Sequence, residues 1–430
     1  MNISPARTSA FDILEKIERE RAFSSILLPA YESELSDLDK GLCHEIVLGV
    51  LRRKLYLDAV IDQFSSGKKL DLAVRIALQI GLYQILFLHR IPPHSAVNES
   101  VDLVQRAKKT SAKGFVNAIL RKATREATTL EFSSEIEQLS IETSHPIWLL
   151  ERWINQFGLE ETKALAAANN DIPKHAFRIT AKGRKEKIEL PEGITASLLV
   201  DGCFLSDTMP KSLRELAASG DIYFQDEGSQ MVAATIGIPP NGRFLDVCAA
   251  PGGKTTMIAE RFSGSPNQIV AGDLHEKRVR FLKENCLHQG LTEINFLRYD
   301  AENAIPFADE AFDVVLVDAP CSGTGTIRSN PEIRYFLNED DFSDLRSKQL
   351  SILKNASKSL KSGGNLVYST CSLERDENEA VIREFLKAAP YFRLKRFEAF
   401  ASFAAEDGTM RTFPHRDQME GFFIAMLTRD

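Results

Sequence analysis

Apolar positions follow three regimes along the chain. Up to about residue 130 they recur three and four apart, as at Ala10, Ile13, Leu14 and Ile17, the period of helices with one buried face. Residues 72–88 are apolar nearly all round, which predicts a helix at the centre of a helical bundle. Pro92-Pro93 ends it, Ser95 is placed to cap the next helix, and 114–122 reads as a short closing helix. From 131 to 235 the pattern is mixed. It is helical around Trp148, Trp153 and Leu165, with short strands expected at 176–180, 196–199 and 222–225. Beyond about 240, short apolar runs alternate with amphipathic ones. Strands are expected at 243–248, 269–273, 294–299, 312–318, 365–370, 392–397 and 422–428, and helices notably at 277–289 and 342–360. That alternation predicts a parallel, doubly wound α/β sheet.

These regimes give a multidomain chain. An all-α bundle spans 1–130, a small α+β connector subdomain 131–235, and a Rossmann-like α/β domain 236–430. A length of 430 residues suits two or three domains, and 43% apolar with 26% charged residues is ordinary for a water-soluble protein. No apolar run approaches a membrane span, and no basic-then-apolar leader opens the chain, so a cytoplasmic location is expected.

Charge changes the picture only locally. The net charge is −7, yet residues 1–128 hold 19 Lys and Arg against 15 Asp and Glu. Basic pairs at Arg52-Arg53-Lys54, Lys68-Lys69, Lys108-Lys109 and Arg121-Lys122 are candidate phosphate contacts, or simply solvated helix faces. The six cysteines form no CxxC pair and have no histidine at zinc spacing. This argues against a disulfide framework, a zinc site or a thiol-exchange enzyme, and no metal is expected.

Candidate chemistry sits at the ends of the predicted strands. Cys248, Ala249, Ala250, Pro251, Gly252, Gly253 and Lys254 form the turn from the first strand into its helix, where open α/β sheets bind ligands. The turn matches neither GxxxxGK[ST] nor GxGxxG, which disfavours a nucleotide triphosphate or a dinucleotide. Asp273 and Asp300 end the next two strands, and each is either a ribose or base acceptor or a local cap. A single nucleoside with a short tail fits, which suits S-adenosylmethionine. Cys321, in Asp318-Ala319-Pro320-Cys321, and Cys371, in Ser369-Thr370-Cys371, close two further strands. Two thiols beside such a cofactor suit methylation at carbon 5 of a pyrimidine. A thiolate adds to carbon 6, carbon 5 accepts the methyl group, and the thiolate must then leave. Asp318 can bond the ring edge, and Lys254 can supply positive charge. A lone cysteine is more often core filling, which suits Cys43, Cys203 and Cys286.

The motifs CAAPGGKT, DAPCSGTG and YSTCS together resemble the signature of the Sun (Fmu) family of RNA cytosine-5 methyltransferases, over about residues 145–430. The helical part resembles the NusB fold of an RNA-binding antiterminator, through Asp39-Lys40-Gly41-Leu42-Cys43, residues 75–84 and Asn98-Glu99-Ser100-Val101. The resemblance implies a class I methyltransferase using S-adenosylmethionine, and a NusB-like RNA-binding domain. Its implied roles are Cys371 as nucleophile, Cys321 in product release and Asp318 as a cofactor or base contact. It also implies Cys248 to Lys254 as the cofactor loop, with Asp273 and Asp300 on ribose and adenine. The implied substrate is a cytidine of 16S ribosomal RNA. The alternatives are transfer RNA or 23S ribosomal RNA, or a non-catalytic RNA-binding assembly factor.

Overall fold

The computed structural model describes residues 3–126, 128–262 and 268–430. The chain divides into two compact units. One comprises residues 1–171 with 327–337, the other 172–326 with 338–430.

The first unit is helical. Its centre is the helix Leu72–Phe87, capped by the Asp71 side chain accepting from the Ala73 amide at 3.0 Å and buried on nearly every face. Its one arginine, Arg75, is neutralised within the bundle by Asp58 at 2.9 Å and Asp62 at 3.1 Å. The helices Pro5–Glu20, Asp37–Arg52, Lys54–Ser65, Pro93–Arg106 and Lys113–Ala123 contribute to one apolar core with it. Three more helices, Glu135–Thr143, Ile147–Phe157 and Leu159–Ala168, carry the unit past the expected boundary at 130.

The segment 327–337 belongs to this unit too, although the sequence placed it in the α/β domain. The Glu332 carboxylate accepts from the Ser24 amide and hydroxyl at 2.7 and 2.8 Å. The fully buried Arg334 donates to the Thr143 carbonyl and the Asn170 side chain, both at 3.1 Å. The Tyr335 hydroxyl donates to the Leu51 and Ser144 carbonyls. Burial pushes the Arg334 guanidinium down to about 10. The basic cluster at 52–54 also serves the fold. Arg52 is buried, and Lys54 pairs with Glu18. Lys68, Lys69, Lys108, Lys109, Arg121 and Lys122 are exposed.

The second unit holds two sheets. The smaller is antiparallel, in the order β2 (Thr195–Ala196), β3 (Cys203–Ser206), β1 (His175–Ile179), β4 (Ile222–Phe224). β3 was not expected, and the strand placed at 196–199 shrinks to two residues. Buried Arg178 on β1 donates to Thr256 Oγ1 at 2.6 Å and Gln289 Oε1 at 2.8 Å, and pairs with Glu260 at 2.9 Å. One side chain thereby ties this sheet to the two helices that follow β5 and β6.

The larger sheet comprises β5 (Phe244–Asp246), β6 (Ile269–Asp273), β7 (Asn295–Arg298), β8 (Phe312–Asp318), β9 (Leu360–Thr370), β10 (Phe392–Leu394), β11 (Met410–Arg411) and β12 (Phe423–Arg429). The order is β10-β12-β9-β8-β5-β6-β7, with β11 paired to β12. β5 to β9 are mutually parallel, as expected, but β12 runs antiparallel between β9 and β10. The sheet is therefore mixed. The helical crossover from β9 to β10 leaves a gap one strand wide, and β12, reached through the excursion 395–422, fills it in the opposite sense. The winding reverses between β5 and β8, so the carboxyl ends of those strands open onto a topological switch point.

Candidate active site

β5 ends at Asp246, and the loop 247–252 leads into the helix Gly253–Arg261. Its main chain is held from the side. The Ala249 amide donates to the Gly272 carbonyl at 2.8 Å, and the Ala250 amide to Asp273 Oδ2 at 3.2 Å. Arg278 donates to the Ala250 carbonyl at 2.8 Å, and Asn285 to the Pro251 carbonyl at 2.9 Å. Gly252 has φ +106°, and a Cβ there would stand 2.8 Å from Leu282 Cδ1. Only glycine permits both the left-handed turn and that approach.

Asp273, at the end of β6, faces this loop and pairs with Arg278 at 3.1 Å. Asp300 lies two residues beyond β7. Its carboxylate accepts from the Glu302 amide at 3.0 Å and Asn303 Nδ2 at 2.7 Å, so it organises its own turn. Burial pushes the Cys248 thiol well above its ordinary range, and the carboxylates of Asp246 and Asp273 add to this.

Sequence reasoning missed Asp246. It is 1% exposed and accepts from Thr255 Oγ1 at 2.7 Å through Oδ2. Its other oxygen, Oδ1, is buried with no partner among the described atoms. Burial pushes this carboxyl up to about 7, against the Thr255 bond. The signal was present, since a charged residue closes an otherwise apolar strand directly before the glycine turn. Arg278 and Asn285 were also missed, because they lie a helix away in sequence.

β8 and β9 are adjacent and parallel, with Asp318 opposite Ser369. Cys371 follows β9 directly, and Cys321 lies three residues past β8. Their sulfurs are 3.3 Å apart, in hydrogen-bond contact. Both residues are half-buried. The Cys371 contact is the largest cause raising the Cys321 thiol well above its usual range. Burial adds to this, and Cys321 holds its proton. Asp318 accepts from Lys254 Nζ and from Ser369 Oγ, each at 2.7 Å. Burial acts to lower the Lys254 ammonium, but Asp318 outweighs it and leaves the group raised and charged. Lys254, Asp318, Cys321 and Cys371 are thus brought to neighbouring strand ends, as the sequence implied.

Gly325 closes the arrangement. Its amide donates to the Cys371 carbonyl at 3.0 Å, and its carbonyl accepts from the Gly421 amide at 2.8 Å. A Cβ on it would fall 2.0 Å from the Gly421 carbonyl oxygen. No side chain fits there, so the loop after Cys321 lies directly on the turn that carries Cys371.

The loop after β5, the unpartnered Asp246 oxygen at its root and acidic Asp273 beside it match a nucleoside cofactor's polar groups. The fold and this site define an S-adenosylmethionine-dependent methyltransferase. Residues 233–428 match the family model "16S rRNA methyltransferase RsmB/F", and residues 4–125 match the NusB family. The probable ribosomal RNA small subunit methyltransferase B of Bacillus subtilis is 34% identical over 100% of both chains. The ribosomal RNA small subunit methyltransferase B of Pseudomonas putida is 33% identical over 98% of both. The crystal structure of PH0851 superposes with a TM-score of 0.82, covering 100% of both chains at 26% identity. The chain belongs to the family of ribosomal RNA small subunit methyltransferase B.

Proposed function

We propose that this protein methylates carbon 5 of a cytidine in 16S ribosomal RNA through a transient bond between Cys371 and carbon 6. The observation that carries the reading is the pair of thiols 3.3 Å apart at the ends of β8 and β9, beside Lys254 and Asp318. The RNA class comes from the relatives, whose names specify small-subunit ribosomal RNA.

Bound S-adenosylmethionine would supply an electrophilic methyl group. It would lie against the loop from Cys248 to Gly253, with Asp273 on its ribose. Asp300, whose carboxylate also organises its own turn, would contact the adenine. The scheme starts from Cys371 as the attacking thiolate, its sulfur 3.3 Å from that of Cys321, which holds its proton. Addition of the Cys371 sulfur to carbon 6 makes carbon 5 nucleophilic, and Asp318 fixes the ring edge. Once Cys371 is a neutral thioether, the sulfur contact that raises Cys321 is gone. Cys321 then loses its proton more readily, releasing it to solvent as the one net proton of the reaction, and as thiolate takes the proton from carbon 5. The ring electrons expel Cys371 as thiolate, which restores aromaticity.

In this scheme Cys371→Ala abolishes methyl transfer to small-subunit ribosomal RNA but keeps S-adenosylmethionine binding. Cys321→Ala accumulates an RNA–protein adduct that survives a denaturing gel. Methyl transfer by Cys371→Ala at the wild-type rate would overturn the assignment.

A further inference from the structure

Each cysteine of the pair is followed by a serine, and both serines reach one buried carboxylate. Glu377 is fully buried, in the turn between β9 and the helix Glu379–Ala388. Its Oε1 accepts from the Ser322 amide at 2.8 Å and from Gln349 Nε2 at 2.9 Å. Its Oε2 accepts from the hydroxyls of Ser322 and Ser372. The two hydroxyl oxygens are themselves 3.1 Å apart. Thr324 Oγ1 stands 3.3 Å from Ser372 Oγ and accepts from the Leu373 amide at 2.9 Å. The Glu377 carbonyl accepts from the Tyr368 hydroxyl at 2.6 Å. Next to it, Asn378 accepts from Thr370 Oγ1 at 2.6 Å and donates to the Ser372 carbonyl at 2.8 Å.

Four donors converge on one buried carboxylate, and three of them come from the residues immediately after the two cysteines. A carboxylate is the one common side chain able to accept all four at once. Burying it is costly unless it is saturated in this way, and here it is. Thr324 and the Ser322–Ser372 contact also link the two thiol loops, but Glu377 is where the serine after each cysteine meets one side chain.

The geometry points to Glu377 as the positioning residue of the two-thiol site. It fixes the separation of Cys321 and Cys371 by clamping the serine that follows each. This rests on the reading that both sulfurs act on one base. Two sulfurs that serve carbons 5 and 6 of one ring must be held to a fraction of an ångström, and a 1 Å misplacement costs on the order of 100-fold in rate.

Two readouts on the full-length protein test this. The first is kcat and KM for methyl transfer to transcribed small-subunit ribosomal RNA. The second is the rate at which phenylarsine oxide bridges the two thiols, releasing one water per bridge. Bridging needs the sulfurs close together and involves no RNA or cofactor. In Glu377→Gln the amide nitrogen carries protons where two hydroxyl protons now point, so the clamp loosens while volume is kept. We expect kcat to fall about tenfold or more, KM for S-adenosylmethionine to stay within about threefold, and bridging to slow in parallel. Glu377→Ala should lose more on both counts, and Glu377→Asp should recover part. If Glu377→Ala is unfolded by circular dichroism at the assay temperature, Glu377→Gln decides alone. A folded Glu377→Gln that bridges and turns over like wild type overturns the assignment. Slowed bridging in a protein whose wild type methylates no RNA would keep the positioning role and discard the proposed reaction instead.

Discussion

Replacing Lys254 with methionine isolates one charge. Methionine keeps the stem and its packing on Phe422, whose ring centroid lies 5.2 Å from Nζ, but removes the ammonium. Asp318 then keeps only the Ser369 hydroxyl at 2.7 Å. The broken interaction is a charge-assisted hydrogen bond of 2.7 Å, with the lysine side chain 11% and the aspartate side chain 28% exposed. An exposed pair would be worth about 0–1 kcal/mol, and hydrogen bonds to charged groups contribute about 1.5–3 kcal/mol. Partial exposure of Asp318 places the loss near the lower end, about 2 kcal/mol. Its ceiling on catalysis, reached where the whole interaction serves the transition state alone, is roughly a 30-fold fall in kcat/KM at about 1.4 kcal/mol per decade. The assay is transfer of tritiated methyl to small-subunit ribosomal RNA, run on Lys254→Met, Asp318→Asn and the double variant. Once one partner is gone, losing the second costs little, so the double variant should fall well short of the product of the singles. Independent effects, with coupling under about 0.5 kcal/mol, would refute the idea that the two act as one unit.

Three further outcomes are expected. In Cys371→Ala the largest cause raising Cys321 is removed. Alkylation of the Cys321 peptide by iodoacetamide, followed by mass spectrometry, should then begin at lower pH than in wild type; an unchanged profile would contradict the sulfur contact. Asp246 is raised by burial to about 7 in the folded chain, against about 4 when unfolded. The folded state therefore binds the extra proton between about pH 4 and 7, and stability from this group falls as pH rises through that window. Asp246→Asn should melt higher than wild type at pH 8 without cofactor, with the gain shrinking toward pH 4; a gain independent of pH would point elsewhere. Gly325→Ala forces a Cβ onto the Gly421 carbonyl. Overpacking of this kind costs about 1–3 kcal/mol, so a lowered melting temperature and reduced methyl transfer are expected, and wild-type behaviour in both would show the loop to be free to shift.

Most of the site was legible because strand ends concentrate it in short runs. The loop from Cys248 to Lys254, Asp318 with Cys321, and Cys371 each lie within a few residues of an apolar strand, and parallel pairing brings such ends together. Residues that act across long separations carried no such mark. Glu377 stands in a polar turn whose sequence looks like a surface, and only the fold reveals that four donors meet there. Asp300 shows the opposite limit. It was expected to end a strand, β7 stops two residues before it, and nothing in the sequence tells a ligand contact from a turn acceptor. The antiparallel β12 was missed because an apolar run gives a strand but not its direction. The segment 327–337 was assigned by neighbourhood in sequence, while Glu332, Arg334 and Tyr335 find their partners far upstream.

That stray segment constrains how the molecule can be dissected. The backbone quits the α/β unit after Thr326 and rejoins it at Asn338, so a single scission cannot yield two self-sufficient fragments. A product starting near residue 172 would carry Ile333, Arg334, Tyr335 and Phe336 stripped of their shelter, a sticky and half-charged stretch inserted between Cys321 and Cys371. Supplying residues 1–171 as a separate polypeptide should rescue its solubility, which makes this chain a natural candidate for split-protein reassembly.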